Sequence, residues 1–506
     1  MKRIIITIWY SLFSSFFAVP LFADKPNIIF ILTDDLGYGD VGVLFQNQRK
    51  GVQIKTPELD QMAISGTILN RHYCPAPICA PSRASLITGL HQGHSNVRNM
   101  QFDKAIEDNW NFANTLKNAG YFTIHLGKYG LQGWGHSPDM WAAYPTKRGF
   151  DYFYGSVRHV DGHQHYPANF WEIGDNKSHQ GKKEVWENNK EVSWGLDKCY
   201  TTDLWTAKAK QLIIDRTKNN PKTPFFMYLA YDTPHAALQL PTTPYPDGKG
   251  IKGGLEWLGA TGKMINTAKG TIDSYRDPIY TNKGLTEVAE RFATSITRID
   301  HCVGDILQTL KDLKIDKKTI VIFSSDNGPH LEGGADPDYF DSNGPLRGYK
   351  RDLYEGGIRV PTLAYWPSKI TPGSTSSHIS AFWDFFPTAV ELAGINHKMT
   401  KIDGISFLAE LMGKEQQKHD YLYWEFSEKG GRQAVRMEQW KAVRMNMSKN
   451  PDSPIELYNL DNDTGEKKNV AVQNPKIVEE IEKIMIKEHS ASAIFQFEFE
   501  KNKPRN

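Results

Sequence analysis

The stretch Asn27-Ile28-Ile29-Phe30-Ile31-Leu32-Thr33-Asp34-Asp35 is a nearly continuous apolar run that stops at two carboxylates. A short apolar run of this kind is typical of a strand that is buried on both faces, as in a parallel sheet. Residues 319–323 repeat the pattern and run into Ser324-Ser325-Asp326-Asn327. Both stretches therefore predict inner strands of one sheet, each with polar side chains at its carboxyl end.

The rest of the chain extends this pattern in both directions. Further buried strands are predicted at residues 120–126 and 225–231, and helices at 56–66 and 285–313. Strands that alternate with helices indicate an α/β fold with a large, mixed, mainly parallel sheet sandwiched by helices. Beyond residue 405 the pattern changes to a smaller antiparallel sheet with one helix, with short strands predicted at 421–426, 433–437, 441–445 and 455–458 and a helix at 475–489. We therefore expect a large domain over 24–405 and a subdomain over 406–506.

The two polar strand ends are candidate ligands for a metal ion. Functional residues of open α/β sheets gather beyond the carboxyl ends of the strands, so the two ends can supply three carboxylates and an amide to one cation. Ligation by oxygen alone fits Ca²⁺ or Mg²⁺ and argues against zinc. The alternative is that each Asp pair forms an ordinary turn or helix cap. The candidate ligands are Asp34, Asp35, Asp326 and Asn327.

Composition limits the possible partners and location. The 506 residues are 40% hydrophobic and carry a formal net charge of +2, with no dense basic stripe, so nucleic acid is not expected as the main partner. Residues 1–23 combine Lys2 and Arg3, an apolar stretch and Ala23, the layout of a secretory signal peptide. An uncleaved membrane anchor is the alternative. We expect export to the periplasm or the medium, with no stable membrane insertion after cleavage.

A second informative string is Cys79-Ala80-Pro81-Ser82-Arg83-Ala84-Ser85-Leu86-Ile87-Thr88-Gly89. Pro81 suits the first turn of a helix and Gly89 suits its end. The N-terminus of such a helix presents free N–H groups and favours an anion. An ordinary buried or disulfide-bonded cysteine is the alternative interpretation, since the four cysteines Cys74, Cys79, Cys199 and Cys302 allow three pairings in an oxidising compartment.

This string resembles the signature of the sulfatase family, in which a maturation enzyme oxidises the cysteine of Cys-x-Pro-Ser-Arg to formylglycine. The stretch from Pro26 to Gly37 looks like the N-terminal motif of the same family. Further similar segments extend through most of the chain: Gly127-Lys128, Tyr231-Asp232-Thr233-Pro234-His235, Lys350 with Tyr354-Glu355-Gly356-Gly357-Ile358-Arg359-Val360-Pro361, and Leu457-Tyr458-Asn459-Leu460. The resemblance implies an alkaline-phosphatase-like fold.

The resemblance also implies an activity and its residues. The family hydrolyses sulfate esters with a formylglycine hydrate as nucleophile on one calcium ion, whose ligands here would be Asp34, Asp35, Cys79 as formylglycine, Asp326 and Asn327. Cationic side chains would neutralise the sulfate oxygens. His235, or alternatively Lys350, would protonate the leaving alkoxide. The catalytic residues implied are Cys79, Arg83, Lys128, His235 and Lys350.

One departure from the family pattern concerns residue 130. The family has Gly-Lys-Trp-His-Leu-Gly where this chain has Gly127-Lys128-Tyr129-Gly130-Leu131-Gln132, so the histidine that contacts the formylglycine hydroxyl and assists sulfate release is replaced by Gly130. Either the chain manages without it or a nearby group substitutes. The candidate groups are His136, His159, His163 and His165.

The substrate is expected to be a sulfated carbohydrate. Long polar stretches at 174–196 and 241–284, an aromatic content of 12% and a His-rich segment at 158–166 suit sugar rings. The resemblance favours a polysaccharide or glycosaminoglycan fragment with a sulfated galactose or N-acetylgalactosamine. Candidate substrate contacts are Arg98, His163, His165 and Arg432. Two alternatives stay open, a phosphonate or phosphate monoester hydrolase of the same superfamily and a sulfated-glycan-binding pseudoenzyme.

Overall fold

The structure, a computed structural model, describes residues 25–100, 103–168, 182–395, 399, 401–492, 496–497 and 500. The predicted signal peptide at 1–23 and part of the polar stretch at 174–196 lie outside the described residues. The strands are β1 (Asn27–Thr33), β2 (Thr67–Leu69), β3 (His72–Tyr73), β4 (Phe122–Lys128), β5 (Tyr152–Ser156), β6 (Trp186–Glu187), β7 (Lys190–Glu191), β8 (Phe225–Ala230), β9 (Trp257–Ala260), β10 (Lys263–Ile265), β11 (Thr319–Ser325), β12 (Leu363–Tyr365), β13 (Ser374–Ser376), β14 (Ser380–Ala381), β15 (Leu422–Phe426), β16 (Arg432–Met437), β17 (Trp440–Arg444) and β18 (Ile455–Asn459).

The helices connect these strands and cover the sheets. They are α1 (Pro57–Ser65), α2 (Cys79–Thr88), α3 (Phe112–Asn118), α4 (Thr201–Asn219), α5 (Glu287–Asp312), α6 (Glu355–Ile358), α7 (Phe385–Leu392), α8 (Leu408–Leu411) and α9 (Pro475–Glu488). Within the described residues, none of them combines the length and apolar content that crossing a bilayer requires.

Over the described residues, the main sheet has ten strands in the order β13-β2-β12-β11-β1-β8-β4-β5-β6-β7. Its five central strands, β11, β1, β8, β4 and β5, run parallel, while β12 and β6 begin antiparallel pairings toward the two edges. The predicted mixed, mainly parallel sheet is confirmed. Parallel central strands place all their carboxyl ends on one edge of the sheet, where the predicted site residues lie.

Strand β1 shows why the sheet is covered on both faces. Its side chains alternate, so that Ile28, Phe30 and Leu32 enter one hydrophobic core while Ile29 and Ile31 enter the other. The first core includes residues of α2, α3 and α7, and the second includes residues of α1, α4 and α5. An apolar run without polar alternation is what a strand between two helical layers requires.

The C-terminal region forms the predicted antiparallel sheet, in the order β15-β16-β17-β18. One face packs under α9, where Tyr423 and Leu457 contact a cluster that includes Ile481. The other face sends Trp424 and Phe426 into the first core of the main sheet. This sheet therefore shares a core with the larger part of the chain, and the boundary at residue 405 stays a prediction.

Candidate active site

The two polar strand ends meet because β1 and β11 pair in parallel register, with Thr33 opposite Ser325. The residues that follow are joined by hydrogen bonds. The Asp35 N–H donates to Asp326 Oδ1 at 3.1 Å, and Asn327 Nδ2 donates to Asp35 Oδ1 at 2.6 Å. We call Asp34, Asp35, Asp326 and Asn327 the oxygen cluster; all four are fully buried.

Cys79 reaches the oxygen cluster from the first turn of α2. Possible ligand atoms of Asp34, Asp35, Cys79 and Asp326 all lie within 4.8 Å of one another. Helix α2 begins at Cys79 and ends at Gly89, whose φ of 73° is the left-handed conformation that favours glycine. Burial, followed by the charge of Asp34, raises the pKa of the Cys79 thiol well above its ordinary value. The unmodified residue is therefore a protonated thiol and a poor nucleophile.

Three buried cations surround the oxygen cluster. Arg83 Nε donates to Asp326 Oδ2 at 2.9 Å, and its Nη2 lies 3.5 Å from Asp34 Oδ2. Lys128 Nζ, at the end of β4, donates to Asp34 Oδ2. Lys350 Nζ donates to Asp35 Oδ2 at 2.8 Å. The structure thus brings together Cys79, all four predicted oxygen ligands and the three predicted cations.

The oxygen cluster has the donors that a hard divalent cation needs. Asp34 Oδ1 and Asn327 Oδ1 are buried and accept no hydrogen bond from any described residue. A buried polar oxygen without a partner is costly, and a cation satisfies it. Burial, followed by the charge of Asp34, raises the pKa of Asp326 to about 7, so the carboxylates are crowded even with three cations beside them. These residues fit Ca²⁺, which takes oxygen ligands from carboxylates and amides.

His235 follows β8 and lies beside the oxygen cluster, with Nε2 3.6 Å from Asp35 Oδ2. Burial and the charge of Lys350 lower its pKa well below the ordinary value. The His163 ring stacks on the His235 ring, with centroids 4.5 Å apart. His165 Nε2 lies 3.0 Å from the carbonyl oxygen of His235. Three of the predicted histidines therefore form one group next to Asp35.

The two predicted substrate-binding arginines have other surroundings. Arg98 Nη1 donates to Glu425 Oε1 at 2.8 Å and to the Ser490 carbonyl at 2.6 Å. Arg432 Nη1 donates to Asp352 Oδ1 at 2.8 Å. Within the described part of the chain, neither guanidinium forms a hydrogen bond or an ion pair with the oxygen cluster. Their role as substrate contacts stays a prediction.

Some neighbours of the oxygen cluster were not predicted from the sequence. Glu332 Oε2 accepts from Lys350 Nζ at 3.2 Å, and Glu332 Oε1 pairs with Arg351. His330 lies with its ring centroid 5.9 Å from that of His235. A usable signal existed, because both residues follow Asp326 within six positions of the chain.

The cysteines carry no disulfide in this structure. Cys74, Cys79, Cys199 and Cys302 are all free and buried. The Cys74 thiol instead donates a hydrogen bond to the Ala76 carbonyl oxygen at 3.2 Å. The pairings that the sequence left open are therefore absent among these four described residues.

Comparison with known proteins places these features in one family. A family model described as Sulfatase matches residues 26–395, and one described as N-sulphoglucosamine sulphohydrolase, C-terminal, matches residues 348–491. The N-acetylgalactosamine-6-sulfatase of Mus musculus is 28% identical over 422 residues, covering 79% of this chain and 68% of that protein. The N-acetylgalactosamine-6-O-sulfatase of Bacteroides thetaiotaomicron is 25% identical, covering 92% of this chain and 93% of that protein.

A solved structure agrees with these matches. The crystal structure of Ps i-CgsB in complex with k-i-k-neocarrahexaose superposes with a TM-score of 0.72 at 29% identity, covering 92% of this chain and 94% of that one. The match to the human N-acetylgalactosamine-6-sulfatase spans 66% of that protein, so this chain covers about two thirds of that relative's length. Because the first family model covers residues 26–395, most of the described chain, the protein belongs to the sulfatase family and is a sulfuric ester hydrolase.

Proposed function

We propose that this enzyme removes sulfate from a sulfated carbohydrate, with Cys79 oxidised to formylglycine and one Ca²⁺ bound beside it. The observation that carries the proposal is the buried convergence of Cys79, four oxygen donors and three cations at one sheet edge. A protonated, fully buried thiol has little use as a nucleophile there. The same position suits a residue that becomes reactive only after oxidation.

The oxygen cluster and residue 79 would hold the calcium ion. The bound ion would lower the cost of bringing a negatively charged nucleophile next to an anionic sulfate. The hydrated aldehyde would supply the hydroxyl that attacks sulfur. Asp34, Asp35 and Asp326 balance the ion's charge, and the Asn327 amide adds a neutral donor.

The cationic side chains would bind the sulfate group. Arg83, Lys128 and Lys350 each touch a carboxylate of the oxygen cluster, so they are held in place before substrate arrives. Fixed cations of this kind stabilise charge that develops on the sulfate oxygens in the transition state. His235, or alternatively Lys350, would protonate the departing sugar alkoxide.

The sugar is proposed to be a galactose or N-acetylgalactosamine unit of a polysaccharide or glycosaminoglycan. The names of the mammalian and bacterial relatives support N-acetylgalactosamine, and the complex of Ps i-CgsB supports a carbohydrate ligand. His163 and His165 lie next to His235 and are the proposed contacts nearest the chemistry. The enzyme would be exported and would need a formylglycine-generating maturation enzyme as a transient partner.

The test combines chemistry at residue 79 with turnover. Protein produced together with a formylglycine-generating enzyme is digested, and the peptide containing residue 79 is weighed by mass spectrometry. The same protein is assayed on a panel of sulfated galactose and N-acetylgalactosamine saccharides and on matched phosphate and phosphonate esters, with Cys79→Ala as control.

We expect the aldehyde mass, sulfate release from at least one saccharide and no release by Cys79→Ala. An unmodified thiol in a fully active preparation would refute the mechanism. Faster turnover of the phosphate or phosphonate esters would favour the superfamily alternative. Saccharide binding without turnover by the aldehyde form would favour a pseudoenzyme.

A further inference from the structure

The space next to Gly130 is filled by His159. Gly130 has a φ of 71°, and a Cβ built on it would lie 3.0 Å from His159 Nδ1 and 3.5 Å from His159 Cα and Cβ. The three nearest atoms all belong to His159. The His159 ring therefore lies in close contact with the place that a Cβ of residue 130 would occupy. The absence of a Cβ on Gly130 leaves room for the ring.

The backbone fixes His159 in this place. The N–H groups of Tyr129 and Gly130 donate to the carbonyls of Ser156 and Val157 at 3.0 Å each, so the chain after β4 is tied to the chain after β5. A 3-10 turn over His159–His163 follows. A Cβ built on Gly162 within that turn would lie 2.6 Å from Lys128 Cδ. The turn is thus pressed onto the side chain of Lys128, one of the proposed sulfate-binding cations.

Charged groups of the site act on His159, among them Lys128 and Asp34. The histidine is fully buried. Burial, followed by the charges of Lys128 and His163, lowers its pKa well below the ordinary value, while Asp34 opposes this shift. Its ring is perpendicular to that of His163 at 5.2 Å, and His163 in turn stacks on His235. The imidazole is therefore neutral before reaction, which is the form that a proton acceptor must have.

The other histidines near Gly130 in the sequence are placed differently. His136 is exposed. His165 lies with Nε2 against the His235 carbonyl and Nδ1 3.8 Å from Asp232. His163 stacks on His235. Of these four histidines, only His159 supplies any of the three atoms that lie nearest to a Cβ built at position 130.

We infer that His159 supplies, from the turn after β5, the imidazole that this chain lacks at position 130, and that it accepts a proton when sulfate leaves the enzyme. This inference rests on the proposed function. In that step the free hydroxyl on residue 79 loses its proton to His159, and the O–H electron pair forms the carbonyl. The carbon–oxygen bond to sulfate breaks, and its electron pair leaves with the sulfate.

The first test measures the contact without measuring activity. Gly130→Ala, His159→Ala and the double variant are compared with the parent by thermal unfolding. Gly130→Ala should lower the Tm by about 1–3 °C in the parent and by clearly less when His159 is already alanine, because only the strain from the positive φ is common to both backgrounds and the contact with His159 is lost from the second. Equal losses in the two backgrounds would overturn the inference.

The second test separates the proton transfer from packing. His159→Gln keeps much of the side-chain volume, so its Tm should stay within about 2 °C of the parent while kcat falls about 100-fold or more. After incubation with substrate, the residue-79 peptide of this variant should carry sulfate, which the parent releases. His72→Gln is the matched control, because His72 is also buried but lies beside Ser380 in the first core.

The third test moves the imidazole from position 159 to position 130. His159→Gly should be at least tenfold less active than the same variant with Gly130→His added. Parent-like turnover and no retained sulfate in His159→Gln would overturn the inference while the sulfatase activity stands. A parent protein with the aldehyde but no activity on any sulfate ester would instead refute the proposed function, and the inference would fall with it.

Discussion

Lys350 is held between two carboxylates, Asp35 at 2.8 Å and Glu332 at 3.2 Å. Burial alone would lower the pKa of Lys350, but Asp35 and the neighbouring Cys79 and Glu332 raise it well above the ordinary value. The ammonium is therefore charged and fixed before any substrate binds. Fixed charge is what electrostatic stabilisation of a transition state requires.

Replacement of Lys350 by methionine tests this role. We expect Lys350→Met to lower kcat/KM on a sulfated saccharide by about 10²–10³, because one preorganised cation is lost from the sulfate site. Steady-state kinetics provide the measurement, and Lys222→Met at an exposed position is the control. Parent-like kinetics of Lys350→Met would show that this cation does not act on the sulfate.

Removal of calcium tests the oxygen cluster. Without a cation, buried carboxylates repel one another, so chelation should abolish hydrolysis and lower the Tm. Added Ca²⁺ at about 100 times its Kd should restore about 2.7 kcal/mol of stability. Asp326→Asn removes one of three carboxylates and should need a higher Ca²⁺ concentration for the same Tm. Full activity in the presence of a strong chelator would contradict the proposed metal site.

At the scale of elements, the sequence predicted the helices and strands that are marked by residues within the element itself. Strand β1 is marked by its apolar run, and α2 by Pro81 and Gly89. Helix α4 was missed because Lys208 and Lys210 look like surface residues, although they are buried against Glu187 and Asp305. These ion pairs join residues far apart in the chain, so the local sequence does not predict them.

The candidate site shows the same division. The polar side chains at the ends of β1 and β11 could be identified as candidate ligands because an apolar run marks each strand and stops at them; their role as ligands stays a prediction. The sequence left open which of the four candidate histidines lies beside Gly130, since the position of His159 depends on how the turn after β5 packs onto Lys128. The sequence also did not predict the ion-pair partners of the two candidate arginines. Arg98 pairs with Glu425 and Arg432 pairs with Asp352, and both partners are distant in the chain.

The end of α9 is tied to the C-terminal sheet by a histidine. His489 Nδ1 lies 2.7 Å from Glu425 Oε2, on β15. Burial lowers the pKa of His489, but its hydrogen bond to Glu425 and a second carboxylate at Glu500 raise it to about 9. A histidine whose pKa is raised in the folded state stabilises the fold below its unfolded pKa of about 6.5 and loses that effect as the pH rises toward 9.

The pH dependence of this contact can be measured with His489→Gln. The variant should be about 1 kcal/mol less stable than the parent at pH 6, a figure reduced for partial solvent screening, and nearly equal to it above pH 9. Urea unfolding at both pH values measures the difference, with exposed His136→Gln as the control. A constant difference across this range would exclude the protonated pair.

At the scale of the whole molecule, one buried lysine joins the C-terminal sheet to helix α6 of the larger part of the chain. Lys441 Nζ on β17 lies 3.1 Å from Glu355 Oε1, at the start of α6, and 3.6 Å from Glu466 Oε1. None of the three side chains is exposed. Burial raises the pKa of Glu466 to about 7 despite the lysine. Both carboxyl groups share this lysine, and Glu355 also has Arg359 Nη1 3.7 Å from its Oε2.

Lys441→Met should therefore destabilise the whole protein. Breaking a buried ion pair from one side costs about 3–5 kcal/mol, because the carboxyl groups of Glu355 and Glu466 then stay buried without their shared cation and Arg359 contacts only Glu355. Denaturant unfolding gives the value, and Lys468→Met at an exposed position should change it by less than about 0.5 kcal/mol. A small effect at Lys441 would mean that the C-terminal sheet is held to the rest mainly by its apolar contacts.

The complete burial of Cys79 has a consequence for how an active molecule is made. A maturation enzyme would have to bring its own active site into contact with the thiol, and in the folded protein the Cys79 side chain is fully buried. The proposed oxidation of Cys79 would therefore have to occur before this segment folds, while the thiol is still accessible. A molecule that folded first would keep the unmodified thiol, so the proposed active fraction of a preparation would depend on whether oxidation or folding comes first.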